Sequence, residues 1–132
     1  YQRAVLADVP GLIEGAHQGE GLGLNFLRHI ERTRALAVLV ETMPPEGNAV
    51  QHYETLCSEL RHYNEKLLGR PRMVVATKTD LAPPPNVIEA LRAAAEGDGA
   101  SFCAISSANG DGLADFINWV GEQTLADSRE EP

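Results

Sequence analysis

Ala4-Val5-Leu6-Ala7-Asp8-Val9-Pro10-Gly11-Leu12-Ile13-Glu14-Gly15 is the stretch on which the fold turns, with Gly19, Gly21 and Gly23 close behind. An apolar run that stops at a single acid reads as a short buried strand, residues 3–8, with the acid at its carboxyl end. In an open α/β sheet that edge is where ligands sit. A glycine just beyond it lets a backbone N–H approach an oxyanion closely, because no Cβ intervenes. Residues 9–21 hold four glycines and few periodic apolar positions, so they read as a loop.

The pattern then repeats. Leu22, Phe26 and Ile30 share one face of a helix expected from Leu22 to Arg34. Residues 36–41, Leu-Ala-Val-Leu-Val-Glu, are apolar up to Glu41 and read as a strand buried on both faces. Asn48 can cap the next helix. There Val50, Tyr53, Leu56, Cys57, Leu60, Tyr63 and Leu67 recur at spacings of three and four, until Gly69 and Pro71 end the run. Met73-Val74-Val75-Ala76 is a third strand. Pro83-Pro84-Pro85-Asn86 reads as a stiff turn with a cap, followed by a helix carrying Val87, Ile88 and Leu91. Ser101-Phe102-Cys103-Ala104-Ile105 is a fourth strand. Leu113, Phe116, Ile117, Val120 and Thr124 define a last helix, with a charged tail from about Asp127 expected to fray. Strands alternating with helices imply one α/β domain: a mostly parallel sheet with helices on both faces and a compact core within residues 36–126.

Composition narrows the function. The 132 residues are 43% hydrophobic and 23% charged, the balance of an ordinary globular protein. A net charge of −8 argues against broad nucleic-acid binding, and no direct DNA contact is expected. Arg28, Arg32 and Arg34, with His29, read as a solvated helix face. Cys57 and Cys103 fall on apolar faces and read as buried free thiols, which suits a reducing cytoplasm. No apolar run is long enough to cross a membrane and no signal peptide is visible, so a cytoplasmic location without a membrane partner is expected.

Three polar loops follow three of the four strands, and the carboxyl ends of parallel strands share one edge. In Asp8-x-x-Gly11 the acid can hold Mg²⁺ through water, since that ion prefers hard oxygen ligands. The Gly11 N–H can then reach a terminal phosphate. In Thr77-Lys78-Thr79-Asp80 the Asp80 carboxylate can accept from both N1–H and N2–H₂ of guanine. Adenine offers neither donor and would leave the acid unpaired. Lys78 can lay its methylene stem along the base plane. Ser106-Ser107-Ala108 is small enough for a backbone N–H to meet the guanine O6. Taken alone, each loop also reads as a capped turn.

Together the three loops resemble three of the five sequence elements of a Ras-like GTPase. Asp8 to Ala16, then Gly21-Leu22-Gly23 and Phe26-Leu27-Arg28-His29-Ile30-Glu31-Arg32-Thr33, resembles the switch II segment and following helix of the Obg (CgtA-type) GTPases. The resemblance covers nearly the whole chain, and implies that residues 1–132 are the second part of a G domain. It implies a Ras-like P-loop GTPase fold, with GTP or GDP as ligand and Mg²⁺ as cofactor. It also implies a role with the large ribosomal subunit, in assembly or stress control. By resemblance, Asp8, Val9, Pro10 and Gly11 form the phosphate and Mg²⁺ side. Thr77, Lys78 and Asp80, with Ser106, Ser107 and Ala108, form the guanine side.

Leu12 is the kind of hydrophobic residue this family usually shows, and two other positions depart from its pattern. Leu12 stands where many Ras-like proteins carry a catalytic glutamine, and a leucine cannot polarise water, so slow hydrolysis is expected. Glu14 and His17 are the nearby candidates to replace it. Thr77 stands where the family usually has asparagine, and Ser107 where it usually has alanine. No G-x-x-x-x-G-K-[ST] phosphate loop or switch I threonine occurs in this sequence. The expectation is therefore a piece of an Obg-type GTPase that by itself neither binds GTP tightly nor hydrolyses it. The alternative readings are a truncated, non-enzymatic interaction domain and another P-loop NTPase.

Overall fold

The computed structural model describes residues 33–63 and 65–130. The strand expected at residues 3–8, the loop at 9–21 and nearly all of the helix expected from Leu22 lie outside them. Thr33 and Arg34, read as the end of that helix, are irregular. The elements are β1 (Leu36–Glu41), α1 (Ala49–Tyr63), a 3₁₀ turn (Glu65–Gly69), β2 (Arg72–Thr77), α2 (Pro85–Gly97), β3 (Ser101–Ala104) and α3 (Leu113–Glu130). The three strands are parallel and ordered β1-β2-β3. Leu36 pairs with Arg72 and Glu41 with Thr77, while Met73 pairs with Ser101 and Ala76 with Ala104. Each crossover carries a helix, as parallel neighbours require.

The two-residue period of a strand sorts the apolar side chains into two cores. Val38, Val40, Val74 and Ala76 face Tyr53 and Cys57 of α1 and Leu91 and Ala95 of α2. Met73, Val75, Cys103 and Ile105 face Trp119 of α3, with Leu113, Phe116 and Val120 packed alongside. β2 is thus buried on both sides, and helices cover both faces of a parallel sheet, as the alternating pattern implied. Burying one such aliphatic side chain contributes about 1.5–3 kcal/mol.

Local chemistry sets the ends. Asn48 Oδ1 accepts from the Gln51 N–H at 2.9 Å, and Gln51 Oε1 accepts from the Asn48 N–H at 3.3 Å. This reciprocal cap opens α1. The expected helix does not run on to Gly69: α1 stops at Tyr63, and Leu67 reaches the core from the 3₁₀ turn instead. α2 starts at Pro85, whose fixed φ suits a first helical residue. Asn86 therefore lies inside the first turn rather than capping it, and Pro84 holds the cap position with no side-chain bond.

Three further expectations change. Among the described residues β1 is covered on one face only, with Leu39 58% exposed beside Val40 at 2%, and the α3 cluster takes its buried strand residues from β2 and from the β3 end. On α3 it is Trp119 that turns inward, and Ile117 that turns out. The α3 backbone continues to Glu130, past the expected start of the frayed tail.

Near the amino ends of β2 and β3 lies a polar cluster in which Arg72 and Tyr53 are buried and Asp98 is exposed. Arg72 is buried and donates from Nη1 to the Leu68 carbonyl at 2.6 Å and from Nη2 to the Asp98 carbonyl at 3.4 Å. The Tyr53 hydroxyl donates to Asp98 Oδ2 at 2.6 Å. Burial first, and that bond second, push the tyrosine pKa above its ordinary value. Cys57 and Cys103 are free and buried, and burial pushes both thiols up.

Candidate functional site

The parallel sheet delivers three segments to one edge: Glu41-Thr42 at the end of β1, Thr77-Lys78-Thr79-Asp80 at the end of β2, and Ser106-Ser107-Ala108 beyond β3. β2 and β3 are tied there by backbone bonds. The Ile105 N–H donates to the Ala76 carbonyl at 2.7 Å, and the Thr79 N–H donates to the Ile105 carbonyl at 3.2 Å. The second bond bends the chain after β2 across the end of β3.

That bend sets Lys78 at φ 62°, ψ 38°, in the left-handed region. A non-glycine residue there costs about 1–2 kcal/mol, so its surroundings must hold it. Leu81 N–H closes back on the Lys78 carbonyl at 3.0 Å, and Ala82 N–H on the Thr79 carbonyl at 3.0 Å. The resulting short 3₁₀ turn, Thr79–Leu81, presents Asp80 on the surface.

Ser106 joins the two loops that sequence reasoning paired. It is fully buried, and its hydroxyl donates to Asp80 Oδ1 at 2.9 Å. The Asn109 N–H donates to the same hydroxyl oxygen at 3.3 Å, so the proton is directed to the carboxylate. Ser106 is itself fixed at its backbone: its N–H donates to the Asp111 carbonyl at 2.9 Å and its carbonyl accepts from Gly110 at 2.8 Å. Among the described residues no group bonds Asp80 Oδ2. One oxygen is thus anchored and the carboxylate keeps acceptor capacity toward solvent. Ser107 and Ala108 form an exposed turn beside it.

Two side chains make bonds toward β1 that the sequence does not announce. The Thr77 hydroxyl donates back to the Val40 carbonyl at 3.5 Å, toward β1. Lys78 Nζ meets Glu41 Oε1 at 2.8 Å, and both groups are about half exposed. Thr42, 2% exposed, donates from Oγ1 to the Thr77 carbonyl at 2.9 Å and toward the Lys78 carbonyl at 3.5 Å, while its N–H donates to the Thr77 carbonyl at 3.3 Å. Sequence reasoning assigned nothing to Glu41 or Thr42 beyond the end of a strand. The β1–β2 register creates these bonds, and nothing in the local sequence states it.

Asp8, Val9, Pro10 and Gly11, like Leu12, Glu14 and His17, lie outside the described residues. Among the described residues no group of three His, Cys, Asp or Glu side chains could hold a metal ion. No described helix is long and apolar enough to cross a membrane.

The family described as "50S ribosome-binding GTPase" matches residues 1–78. A protein named GTPase Obg from Solibacter usitatus is 45% identical over 127 residues, 96% of this chain and 38% of its own length. Its counterpart in Chlorobium luteolum is 47% identical over 131 residues, 99% of this chain and 36% of its own. That of Coprothermobacter proteolyticus is 44% identical over 135 residues, 99% of this chain and 32% of its own. The chain spans about a third of the length of these curated relatives. With more than four residues in ten shared over nearly its whole length, this chain belongs to the Obg family of GTPases.

Proposed function

We propose that this chain supplies the guanine-reading half of a GTP-binding switch. The observation that carries the reading is the buried Ser106 hydroxyl donating to Asp80 Oδ1 at 2.9 Å, on the edge where the strands end. A carboxylate anchored by one oxygen and open at the other is set to accept the N1–H and 2-amino protons of guanine. Thr77 and Lys78 flank it, and Ser106, Ser107 and Ala108 close over the base, with a backbone N–H toward O6. The domain assignment goes with this: residues 1–132 act as the later part of an Obg-type G domain.

The phosphate side falls to Asp8, Val9, Pro10 and Gly11, with Asp8 toward Mg²⁺ through water. The described residues offer no competing acidic cage, and a single carboxylate plus nucleotide oxygens suits an ion that keeps most of its waters. Bound there, Mg²⁺ would neutralise phosphate charge. Residues 9–21 would be the segment that nucleotide orders and its hydrolysis releases. Leu12 offers no group to orient water, so turnover would be slow without a partner. The large ribosomal subunit is the partner proposed, in a cytoplasmic role in assembly or stress control. The matching family's description, "50S ribosome-binding GTPase", supports that.

A fluorescent-GDP titration with Mg²⁺, on the parent protein and its Asp80→Asn variant, tests the reading. Two charge-assisted bonds are lost, so affinity should fall about a hundredfold or more. The same variant should gain affinity for xanthosine diphosphate, whose O2 accepts from the new amide. Unchanged GDP affinity would remove Asp80 from the base site.

A further inference from the structure

We infer that Thr42, seconded by Glu41, is a positioning residue that sets how sharply the Thr77–Asp80 loop discriminates guanine. This rests on the guanine reading above and deepens it. Neither residue lies in a nucleotide-contacting loop assigned above; both act on that loop from the end of the neighbouring strand.

Geometry carries the inference. The loop must hold Lys78 in a left-handed conformation that a lysine disfavours, and it must keep Asp80 within reach of Ser106. On the β3 side the Thr79 N–H bond to Ile105 holds it. On the β1 side Thr42 holds it, with its hydroxyl shared between the Thr77 and Lys78 carbonyls and its N–H on the first of them. Those carbonyls bracket the strained residue. Thr42 is 2% exposed, so water cannot readily replace the hydroxyl. Thr77 sends its own hydroxyl to the Val40 carbonyl, so two threonines cross-link the ends of β1 and β2. Glu41 adds an ion pair at Lys78 Nζ that fixes the far end of the side chain expected to lie along the base plane. That pair is half exposed, so its share is small and salt-sensitive.

If the β1 clamp is released, the loop spends less time in the competent form, and apparent affinity falls by that fraction. Selectivity falls too. A carboxylate free to shift no longer penalises a base that lacks the 2-amino group.

The test compares GDP with inosine diphosphate, which lacks only that group, in the parent protein with Mg²⁺. Thr42→Val should lower the ratio of the two affinities by about three- to tenfold, and Thr42→Ser should restore it. Glu41→Gln should lower the same ratio by a smaller factor, no more than about threefold, with the effect vanishing at high salt. If Thr42→Val does not fold, Thr42→Ala carries the same comparison, since it removes the hydroxyl without adding an atom. A wild-type ratio in the valine variant would overturn the inference. So would equal loss of both nucleotides with a lowered melting temperature, the mark of a merely structural role. Asp80→Asn separates the two failures. Intact GDP binding there defeats the guanine reading and this inference with it. Abolished binding, with an unmoved ratio in Thr42→Val, defeats this inference alone.

Discussion

Replacing Gly112 by alanine measures how firmly α3 is seated on β3. Gly112 has φ +75° and directly precedes the helix. A Cβ at this position would overlap the Ala104 carbonyl oxygen, and would lie 2.9 Å from the Ala104 carbonyl carbon and 3.2 Å from the Ile105 Cα. All three are backbone atoms, and they are held: Ala104 pairs with Ala76, and Ile105 N–H is bonded to the Ala76 carbonyl. None can swing aside as the tip of a side chain would. The left-handed backbone alone costs an alanine about 1–2 kcal/mol. Shifting packed backbone adds about 1–3 kcal/mol, the range seen for overpacked cores. The sum is about 2–5 kcal/mol, a large part of the about 5–15 kcal/mol that holds a domain folded. Gly99 supplies the control, with φ +76° and nothing within 4 Å of an added Cβ. Gly99→Ala therefore carries only the first cost. Urea unfolding followed by the fluorescence of Trp119, the single tryptophan and a member of the α3 core cluster, compares the two. Gly112→Ala should lose at least about 1 kcal/mol more than Gly99→Ala, with the same m-value. Equal losses would show that backbone angle, and not the seat on β3, is what Gly112 supplies.

Two further outcomes concern the polar cluster and the thiols. The folded-state pKa of Tyr53 is raised, so its stabilising contribution is complete below the unfolded value of about pH 10 and is lost as pH rises beyond it. Urea midpoints should therefore decline above about pH 10, and Tyr53→Phe should lose about 1 kcal/mol at neutral pH and flatten that decline. A variant that keeps the full alkaline decline would assign it to other groups. Burial raises the pKa of Cys57 and Cys103, so iodoacetamide at neutral pH should label them slowly in the native state and fast in urea. Native labelling at the denatured rate, read by mass spectrometry, would place the thiols at the surface.

Much of the fold was legible because apolar patterning and turn chemistry are local. The run Met73-Val74-Val75-Ala76 is hydrophobic at every position, as a strand covered twice must be, and Asn48 marks a helix start unaided. What stayed hidden depends on partners distant in sequence. Nothing in Leu-Ala-Val-Leu-Val says that α3 leaves Leu39 uncovered. Ile117 and Trp119 fit helical spacing about equally well, and only the placement of α3 over Val75 and Cys103 chooses between them. Arg72 reads as a surface charge until the Leu68 and Asp98 carbonyls converge on it. In the site, T-K-T-D and S-S-A announced themselves by their residue types. The clamp at Thr42 did not, since its bonds exist only in the register that pairs Glu41 with Thr77.

The second core has a consequence in time. A ribosome releases a chain amino end first, so β1, α1, β2, α2 and β3 all emerge before α3. Among the described residues, α3 is the helix that covers Met73, Val75, Cys103 and Ile105. While it is still being made, the sheet can zip its three strands and pack α1 and α2, yet among the described residues no helix is there to cover its other face. The nascent chain therefore passes through a one-sided sheet with β2, its most deeply buried strand, half open to water. Synthesis of the last eighteen-residue helix, rather than pairing of the strands, closes that interval of risk.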